Sequence, residues 1–244
     1  MTKRETIEIQ KAYSKGDSKL ATYQDLILGH RSLSRLFLFE FIIGLCGIMP
    51  GALGLFLRMK LYPKLLGSVG RNVTFGKDVV LRHPHKIHIG DNVVIDDHVV
   101  LDAKGQNNEG IRIGNGVFVG RNTILNCKNG DIVLEDRVNL SFNCLIFSAS
   151  LVKVGADNLI AAYCYLVGGT HHFDNPDIPV LDQERESRGI VIGPGGWIGA
   201  HVTVFDGAQV GKHAVIGAGS LVNRNIPDYT IAAGSPVRII KRRK

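Results

Sequence analysis

The chain has 244 residues and a formal net charge of +7, with 29 lysine and arginine residues against 22 aspartate and glutamate residues. That length accommodates one large domain with an appendage. Much of the basic excess is terminal and accompanies no recognisable nucleic-acid motif, so nucleic acid is less favoured as a partner than anionic lipid or a phosphorylated cofactor. The four cysteines include no C-x-x-C pair, which excludes the usual zinc and disulfide frameworks. We therefore expect a protein of the reducing cytoplasm.

The N-terminal quarter predicts helices. Residues 1–32 are polar and show no secretory signal, so we expect a mobile or helical arm there. Residues 33–66 are strongly apolar, and the run within them that begins at Leu36 and precedes Arg58 approaches the roughly 20 residues needed to cross a bilayer. The charge of Glu40 and a proline-glycine pair near the middle argue against a simple span. We therefore predict two short helices, roughly 33–48 and 51–65, that either dip into one membrane leaflet or pack on the solenoid or against a neighbouring subunit.

From about residue 67 an aliphatic residue recurs at multiples of six, often followed directly by glycine. A six-residue period fits neither a helical turn nor the alternation of an isolated strand. It fits a solenoid whose flat faces are each one hexad long, so we predict a mainly β fold. Glycine is expected where the chain turns, because it accepts backbone angles that other residues avoid. The predicted interior column consists of Ile95, Val119, Ile160, Ile192, Ile198, Val204, Val210 and Ile216.

Two segments interrupt the repeat. Residues 103–111 are polar and predict a small surface bulge between coils. Residues 168–189 contain no interior hexad and predict a long loop that leaves the rigid scaffold, where function usually resides. This loop begins with Thr170, His171 and His172. Histidine titrates near neutral pH and accepts a proton from a hydroxyl group, which makes both histidines candidate general bases.

The repeat, the histidine-bearing break and the final run from Ile216 to Pro236 resemble the hexapeptide-repeat acyltransferases, which are left-handed parallel β-helices. The resemblance covers roughly residues 66–240. It implies an O-acetyltransferase that uses acetyl-CoA as acyl donor, requires no metal, and assembles as a closed homotrimer with its active sites between subunits. It also implies that His171 is the general base, with His172 as the alternative.

The same resemblance implies which residues meet the substrates. A tryptophan, a track of small residues and several C-terminal polar or basic residues would contact the coenzyme, because small residues admit the pantetheine arm and cations meet phosphate. The residues so assigned are Trp197, Gly199, Ala200, Ala218, Gly219, Ser220, Asn223, Arg224, Arg238 and Lys241.

On the acceptor side the sequence departs from the maltose and galactoside acetyltransferases. Ser141 and Asn143 correspond to polar residues of their acceptor pocket, but Ala149 stands near the position of an expected aspartate. This departure, together with the apolar segment 33–66, favours a larger acceptor. A surface polysaccharide or a lipid-linked glycan precursor at the cytoplasmic membrane face is the expected class, with peripheral membrane contact through 33–66.

Three other interpretations stay open. A metal-dependent carbonic anhydrase of the γ class needs three histidines from neighbouring coils, but Pro176 stands where the second is expected. The other histidines do not supply such a site: the early ones, including His83 and His85, are expected to be solvated. His201 and His213 are expected on different faces of the coil, too far apart to bind one metal within a subunit. A non-catalytic trimeric scaffold would bind no coenzyme. Transfer to nitrogen, or of a longer acyl chain, would use the same scaffold.

Overall fold

A computed structural model describes residues 17–243. It begins with three helices and a 3-10 turn, namely α1 (Lys19–Ile27), α2 (Leu33–Cys46), α3 (Gly51–Leu61) and Tyr62–Lys64. The hydroxyl groups of Ser18 and Ser32 cap α1 and α2 by accepting hydrogen bonds from backbone N–H groups three residues later. Helices α2 and α3 lie within the two segments, 33–48 and 51–65, in which helices are predicted. Most of the predicted arm lies outside the described residues.

The rest of the chain winds in coils of three short strands. Coils 1 to 8 and their strands are, in chain order, coil 1, β1 (Ser68–Val69), β2 (Thr74–Phe75), β3 (Val80–Arg82); coil 2, β4 (Ile87–Ile89), β5 (Val94–Ile95), β6 (Val100–Asp102); coil 3, β7 (Ile111–Ile113), β8 (Phe118–Val119), β9 (Ile124–Cys127); coil 4, β10 (Asp131–Leu134), β11 (Asn139–Leu140), β12 (Leu145–Ser148); coil 5, β13 (Leu151–Val154), β14 (Leu159–Ile160), β15 (Tyr165–Gly168); an inserted pair, β16 (Thr170–His171), β17 (Arg185–Glu186); coil 6, β18 (Ile190–Ile192), β19 (Trp197–Ile198), β20 (Thr203–Phe205); coil 7, β21 (Gln209–Val210), β22 (Val215–Ile216), β23 (Leu221–Val222); and coil 8, β24 (Thr230–Ala233), β25 (Arg238–Arg242).

Equivalent strands of successive coils pair in parallel. In coils 1 to 7 the first strands form sheet 1, the second strands sheet 2, and the third strands sheet 3. Coil 8 adds only β24 to sheet 2, and β25 folds back antiparallel on β24. Corner 1 joins sheets 1 and 2 within a coil, and corner 2 joins sheets 2 and 3. Corner 3 leads from sheet 3 to sheet 1 of the next coil. The predicted mainly β parallel solenoid with an N-terminal helical segment is thus confirmed.

Aliphatic side chains fill the interior between the three sheets. All eight residues predicted for the interior column are buried, with at most 3% of their surface exposed. In-register pairs such as Ile160 with Ile198 stack one coil on the next. Because each coil covers the apolar interior of its neighbours, the stability of the solenoid is largely a sum of coil and neighbour contributions.

The glycines that directly follow the interior aliphatic residues are not there for unusual backbone angles, which was the expected reason. Neither Gly76 nor Gly199 has a left-handed backbone. A Cβ on Gly76 would lie 2.4 Å from the backbone nitrogen of Asp97, and one on Gly199 would lie 2.6 Å from that of Ala218. Glycine is therefore required there by the close approach of the next coil. The left-handed corner positions are mostly taken by other residues, such as Asn72 with φ of 58°.

The helices pack against coil 1 through a buried arginine. The Arg58 guanidinium donates hydrogen bonds to the backbone oxygens of Cys46 and Met49, at 2.9 and 2.7 Å, and to that of Phe75 at 3.0 Å. These bonds tie α2, the turn after it and α3 to the second strand of coil 1. Within residues 17–243 no helix combines the length and the apolar character needed to cross a bilayer.

The junction of α1 with coil 1 corrects the expectation that the early histidines are solvated. His83 is only 8% exposed, and its Nε2 lies 2.9 Å from the backbone oxygen of Asp25. Burial lowers the pKa of His83. Its neighbour His85 is exposed overall, yet desolvation of its ring, followed by the charges of His30 and His83, lowers the pKa of His85 to about 4.

Candidate functional site

The break in the repeat is an ordered hairpin loop, residues 169–189, that leaves the solenoid at corner 3 between coils 5 and 6. Its strands β16 and β17 pair antiparallel, which sets Thr170 opposite Glu186 and His171 opposite Arg185. A 3-10 turn at Val180–Asp182 lies between them. The predicted loop is therefore built as a two-stranded projection from the scaffold.

An aspartate of the next coil anchors the return of the hairpin loop. The Asp206 carboxylate accepts hydrogen bonds from the backbone N–H groups of Arg188 and Gly189, both at 2.8 Å. The Ser187 hydroxyl donates to the backbone oxygen of Gly168 at 3.0 Å and so joins the two ends. Sequence reasoning missed this anchor because it connects residues from different coils.

His171 lies half-buried at the base of the hairpin loop. Its Nδ1 is buried and makes no hydrogen bond to any residue of the described chain. Desolvation lowers the pKa of His171, and the charges of Arg185 and then Lys128 act in the same direction, against a hydrogen bond to the backbone of Val180. The imidazole is therefore neutral near pH 7 and has a nitrogen able to accept a proton.

His172 has a different environment. Its side chain is 43% exposed, and its Nδ1 lies 3.7 Å from the Asp174 carboxylate. Its backbone N–H donates to the backbone oxygen of Glu184 at 2.9 Å, which extends the hairpin pairing. The two candidate bases thus differ in geometry, because only the ring nitrogen of His171 is both buried and unpaired.

Four of the predicted small residues stack at corner 2. Gly199 and Ala200 belong to coil 6, and Ala218 and Gly219 lie directly on them in coil 7. The backbone N–H of Gly219 donates to the oxygen of Ala200 at 2.8 Å. A Cβ on Gly219 would meet no atom within 4 Å, so the surface above it is open. We call this row of residues the small-residue track.

Ser220, predicted with these residues, points inward instead. It is 2% exposed, and its hydroxyl donates to the oxygen of Gly217 at 2.6 Å and accepts from the N–H of Gly234 at 3.1 Å. The track instead continues through Ala161 and Ala162 of coil 5, which sequence reasoning missed. The signal was present, because both follow Ile160 as Gly199 and Ala200 follow Ile198.

An aromatic stack borders the track. The rings of Tyr163 and His201 lie parallel, with centroids 4.9 Å apart and an interplanar angle of 2°. Both residues adopt left-handed corner conformations, with φ of 61° and 57°. His201 belongs to corner 2, whereas His213 lies at corner 1 of the next coil, so the two histidines occupy different edges of the solenoid.

Trp197 and two predicted basic residues share sheet 2. Trp197 is 50% exposed and is joined through paired residues of β22 and β24 to Lys241 on β25. At about 4.8 Å per strand this row extends roughly 14 Å. Arg238 pairs with Ala233 on the same final strands. The structure therefore aligns these three residues along one face at the C-terminal end of the solenoid.

The remaining predicted residues lie elsewhere. Ser141 and Asn143 occupy corner 2 of coil 4, one coil before the start of the small-residue track. Asn223 and Arg224 are exposed at corner 3 of coil 7, on the other edge of sheet 3. The predicted acceptor residues and the small-residue track therefore share an edge, whereas Asn223 and Arg224 share one with the hairpin loop.

A single chain does not bring His171 to the small-residue track. His171 follows β15 at corner 3, whereas Ala162 and its stacked neighbours precede β15 at corner 2. The four residues of that strand separate the two edges by about 13 Å at 3.3 Å per residue. His171 and the small-residue track therefore lie on opposite edges of sheet 3.

The described residues, 17–243, contain no group of three or more histidine, cysteine, aspartate or glutamate side chains placed to hold a metal ion. All four cysteines are buried and unlinked. At the hairpin loop the charges of Arg185 and Lys128 act on the imidazole of His171.

Comparison with known proteins gives consistent results. No family model matches the chain. It is 31% identical over 134 residues to "Probable acetyltransferase Rv3034c" of Mycobacterium tuberculosis, covering 55% of this chain and 45% of the relative. It is 37% identical over 120 residues to "Putative lipopolysaccharide biosynthesis O-acetyl transferase WbbJ" of Escherichia coli, covering 46% and 61%. The chain thus spans about half the length of the curated relatives it matches.

A solved structure of an acyltransferase is also similar to this chain. A single-residue mutant of AntD, an N-acyltransferase from Bacillus cereus in complex with dTDP and coenzyme A, superposes with a TM-score of 0.54 and 26% identity. The match covers 77% of this chain and 89% of AntD. With the six-residue repeat and the parallel solenoid, these similarities show that the chain resembles the hexapeptide-repeat acyltransferases.

Proposed function

We propose that the protein transfers an acetyl group from acetyl-CoA to a hydroxyl group of a sugar, with His171 as the general base. The observation that carries this proposal is the buried and unpaired Nδ1 of His171 on the one long projection of the described solenoid. Relatives named as acetyltransferases, and the coenzyme A bound to AntD, support the reaction class.

In the proposed step, neutral His171 removes the proton of the acceptor hydroxyl as its oxygen bonds to the thioester carbonyl carbon. The carbon–sulfur bond then breaks, and the imidazolium returns its proton to the departing sulfur. The products are an acetyl ester and free coenzyme A. The lowered pKa of His171 suits this role, because it keeps the imidazole unprotonated before the acceptor binds.

The coenzyme would lie along the small-residue track. The open space above Gly219 and the methyl-sized side chains of Ala200 and Ala218 leave room for a narrow chain to lie flat on the coils. Arg238 and Lys241, at the C-terminal end of sheet 2, supply cations for phosphate groups. Ser220 has no place in this set except through its backbone, since its hydroxyl faces the interior.

The active site would be completed by a second copy of the chain in a closed homotrimer. Sheet 3 presents an apolar outer face between His171 and the track, and the hairpin loop exposes further apolar side chains that the chain itself does not cover. The apolar outer face of sheet 3 consists of Ile124, Leu145, Phe147, Tyr165, Phe205 and Leu221. The exposed apolar side chains of the hairpin loop include Phe173 and Leu181. Closed three-fold symmetry would set the base of one subunit against the track of the next.

A larger glycan is the proposed acceptor. Ala149 packs under the hairpin loop, where a Cβ added at Gly169 would lie 2.9 Å from its own Cβ. Ala149 itself supplies no carboxylate to hold a small sugar. The relative named for lipopolysaccharide biosynthesis supports a surface polysaccharide or lipid-linked precursor. The AntD similarity favours a second candidate, transfer to the amino group of an amino sugar.

The test is acetylation of cell-surface glycans in cells that express the wild-type chain, His171→Ala or His172→Ala, with products weighed by mass spectrometry. We expect His171→Ala to lose the mass of one acetyl group per acceptor and His172→Ala to retain it. With purified protein the rate should fall about 100- to 10,000-fold for His171→Ala. Mild alkali distinguishes the candidates, because it releases an acetyl ester but leaves an acetamide.

Two results would overturn the proposal. Retention of full transfer by His171→Ala would exclude this base. Absence of both coenzyme binding and transfer by the wild-type protein would favour a non-catalytic scaffold. Light scattering tests the assembly separately, since a monomer with full activity would contradict a site shared between subunits.

A further inference from the structure

Helix α2 carries apolar side chains on two sides, but the chain covers only one of them. Leu36, Phe39 and Ile42 face the molecule and are buried. On the other side Phe37 and Phe41, one turn apart, are 72% and 65% exposed. The uncovered side of α2 therefore lacks a partner within the described chain.

The uncovered surface continues along the chain into α3. Ile48, in the turn after α2, is 76% exposed, and α3 adds two further apolar side chains. We call this surface the apolar patch, and it consists of Leu33, Phe37, Phe41, Leu45, Ile48, Leu53 and Phe56. The helices that carry the apolar patch are held in place, because buried Arg58 joins the end of α2, the turn and α3 to coil 1.

Positive charge accompanies the apolar patch. Arg35, Lys60 and Lys64 are exposed on the same helices and the following turn. Lys60 Nζ lies 5.9 Å from the ring centroid of Phe56. The only carboxylate of residues 33–66 belongs to Glu40, whose Oε1 accepts a 2.5 Å hydrogen bond from the hydroxyl of Tyr23 on α1. Glu40 is also exposed, so the exposed charges of this segment are three cations and one carboxylate hydrogen-bonded to Tyr23.

We propose that the apolar patch inserts into the interfacial region of a membrane leaflet rich in anionic lipid, with Arg35, Lys60 and Lys64 at the headgroups. Aromatic and aliphatic side chains would enter the acyl boundary while long cationic side chains reach phosphate, as in interfacial amphipathic helices. A second copy of the chain fits less well, because its own basic residues would be brought against these. This docking is independent of the acetyl-transfer proposal. The hairpin loop leaves the solenoid about four coil spacings, roughly 19 Å, along the axis from coil 1, against which the helices pack.

The test is flotation of the full-length protein with phosphatidylcholine vesicles that contain or lack about a third phosphatidylglycerol, an anionic fraction at which basic residues add measurably to binding. We expect strong binding to the anionic vesicles and weaker binding to the neutral ones. Phe37→Gln with Phe41→Gln should lower the partition coefficient at least about tenfold, because both rings lose their apolar contact with the acyl chains. Leu151→Gln with Val191→Gln, which alters two exposed apolar side chains of sheet 1, is the matched control and should bind as the wild type.

A charge variant separates the two contributions. Arg35→Gln, Lys60→Gln and Lys64→Gln together should reduce binding to anionic vesicles, by roughly fivefold for each charge, and leave binding to neutral vesicles unchanged. Circular dichroism melting should show that all variants fold. Equal flotation of the aromatic variant and the wild type would overturn the proposal. So would loss of a larger assembly in the aromatic variant without any change in flotation, which would assign the patch to another protein subunit.

Discussion

Two insertions leave the solenoid at the same corner and are anchored alike, but their contents differ. The bulge, residues 103–110, returns to β7 with the N–H groups of Glu109 and Gly110 bonded to the Asp131 carboxylate, both at 2.8 Å. The hairpin loop returns to β18 with the N–H groups of Arg188 and Gly189 bonded to Asp206 at the same distance. In each case a carboxylate of the following coil holds the end of the insertion.

Inside the bulge the polar groups satisfy one another. The Asn108 amide is buried and donates to the backbone oxygens of Ala103 and Gly130, at 3.3 and 3.0 Å. Lys86 donates to the Asn108 side chain at 2.8 Å and closes the segment over coil 2. The hairpin loop instead leaves the His171 Nδ1 unpaired and several apolar side chains uncovered. The two insertions thus share their anchor, whereas only the hairpin loop of the two keeps a buried side-chain nitrogen without a partner among the described residues, a kind of group that calls for an explanation.

The largest expected effect comes from removing the two anchors. Asp206→Ala and Asp131→Ala should each destabilise the fold by about 1–3 kcal/mol, because each leaves two backbone N–H groups without their charged acceptor. Asp206→Ala should also lower kcat/KM about 100-fold, since a displacement of about 1 Å at a catalytic group can cost that much. Acetyl-CoA turnover and urea denaturation of both variants measure the two effects.

The bulge provides the control for that experiment. Asp131→Ala should keep turnover within about twofold of the wild type, because its insertion carries no catalytic group. Equal loss of activity in the two variants would show that the anchors act through global stability and would remove the distinction between the insertions.

A second, smaller effect concerns the pH dependence of His171. The Arg185 charge favours the neutral imidazole and lowers its pKa, so Arg185→Gln should raise that pKa. Because the proposed base acts when neutral, the acidic limb of the kcat/KM profile should move to higher pH in this variant. Arg188→Gln is the matched control, since Arg188 pairs with Glu186 at 2.8 Å on the same hairpin loop. An unmoved limb in Arg185→Gln would mean that another group titrates in the rate profile.

The sequence specifies the scaffold well because the six-residue period acts locally. Every residue of the predicted interior column is buried, and the second interruption does leave the solenoid as a loop. The helices also form where an apolar run is divided by Pro50. These features depend on the order of apolar and turn-forming residues, which is visible in a single sequence.

The sequence specifies the site less well because its parts meet across coils. The bond from Gly189 to Asp206 spans 17 residues and depends on the length of the hairpin loop. The inward turn of Ser220 depends on Gly234 of the closing coil. The burial of His83 depends on α1, which packs beside it from 58 positions earlier. The proposed contact between His171 and the small-residue track would depend on a second chain, which no periodicity within one chain reveals.

The smallest expected effect tests whether a lowered histidine pKa by itself marks function. Desolvation lowers the pKa of His85 to about 4, as desolvation lowers that of His171, yet His85 lies at the helix junction far from the hairpin loop. The folded state therefore binds this proton less readily than the unfolded chain. Stability from His85 is complete above about pH 6.5, the ordinary value for histidine, and is lost as the pH falls toward 4.

Replacing His85 by glutamine should therefore flatten the decline in the urea midpoint between pH 6.5 and 4 without changing acetyl transfer at neutral pH. The change is expected to be modest, because the His85 side chain is partly exposed and solvent weakens the interaction. His98→Gln, which alters an exposed histidine 3.0 Å from Asp78, is the matched control and should leave this particular decline in place. Loss of acetyl transfer in His85→Gln would show that the junction of α1 with coil 1 acts on the hairpin loop across four coils. The properties of the two insertions would then depend on that junction as well.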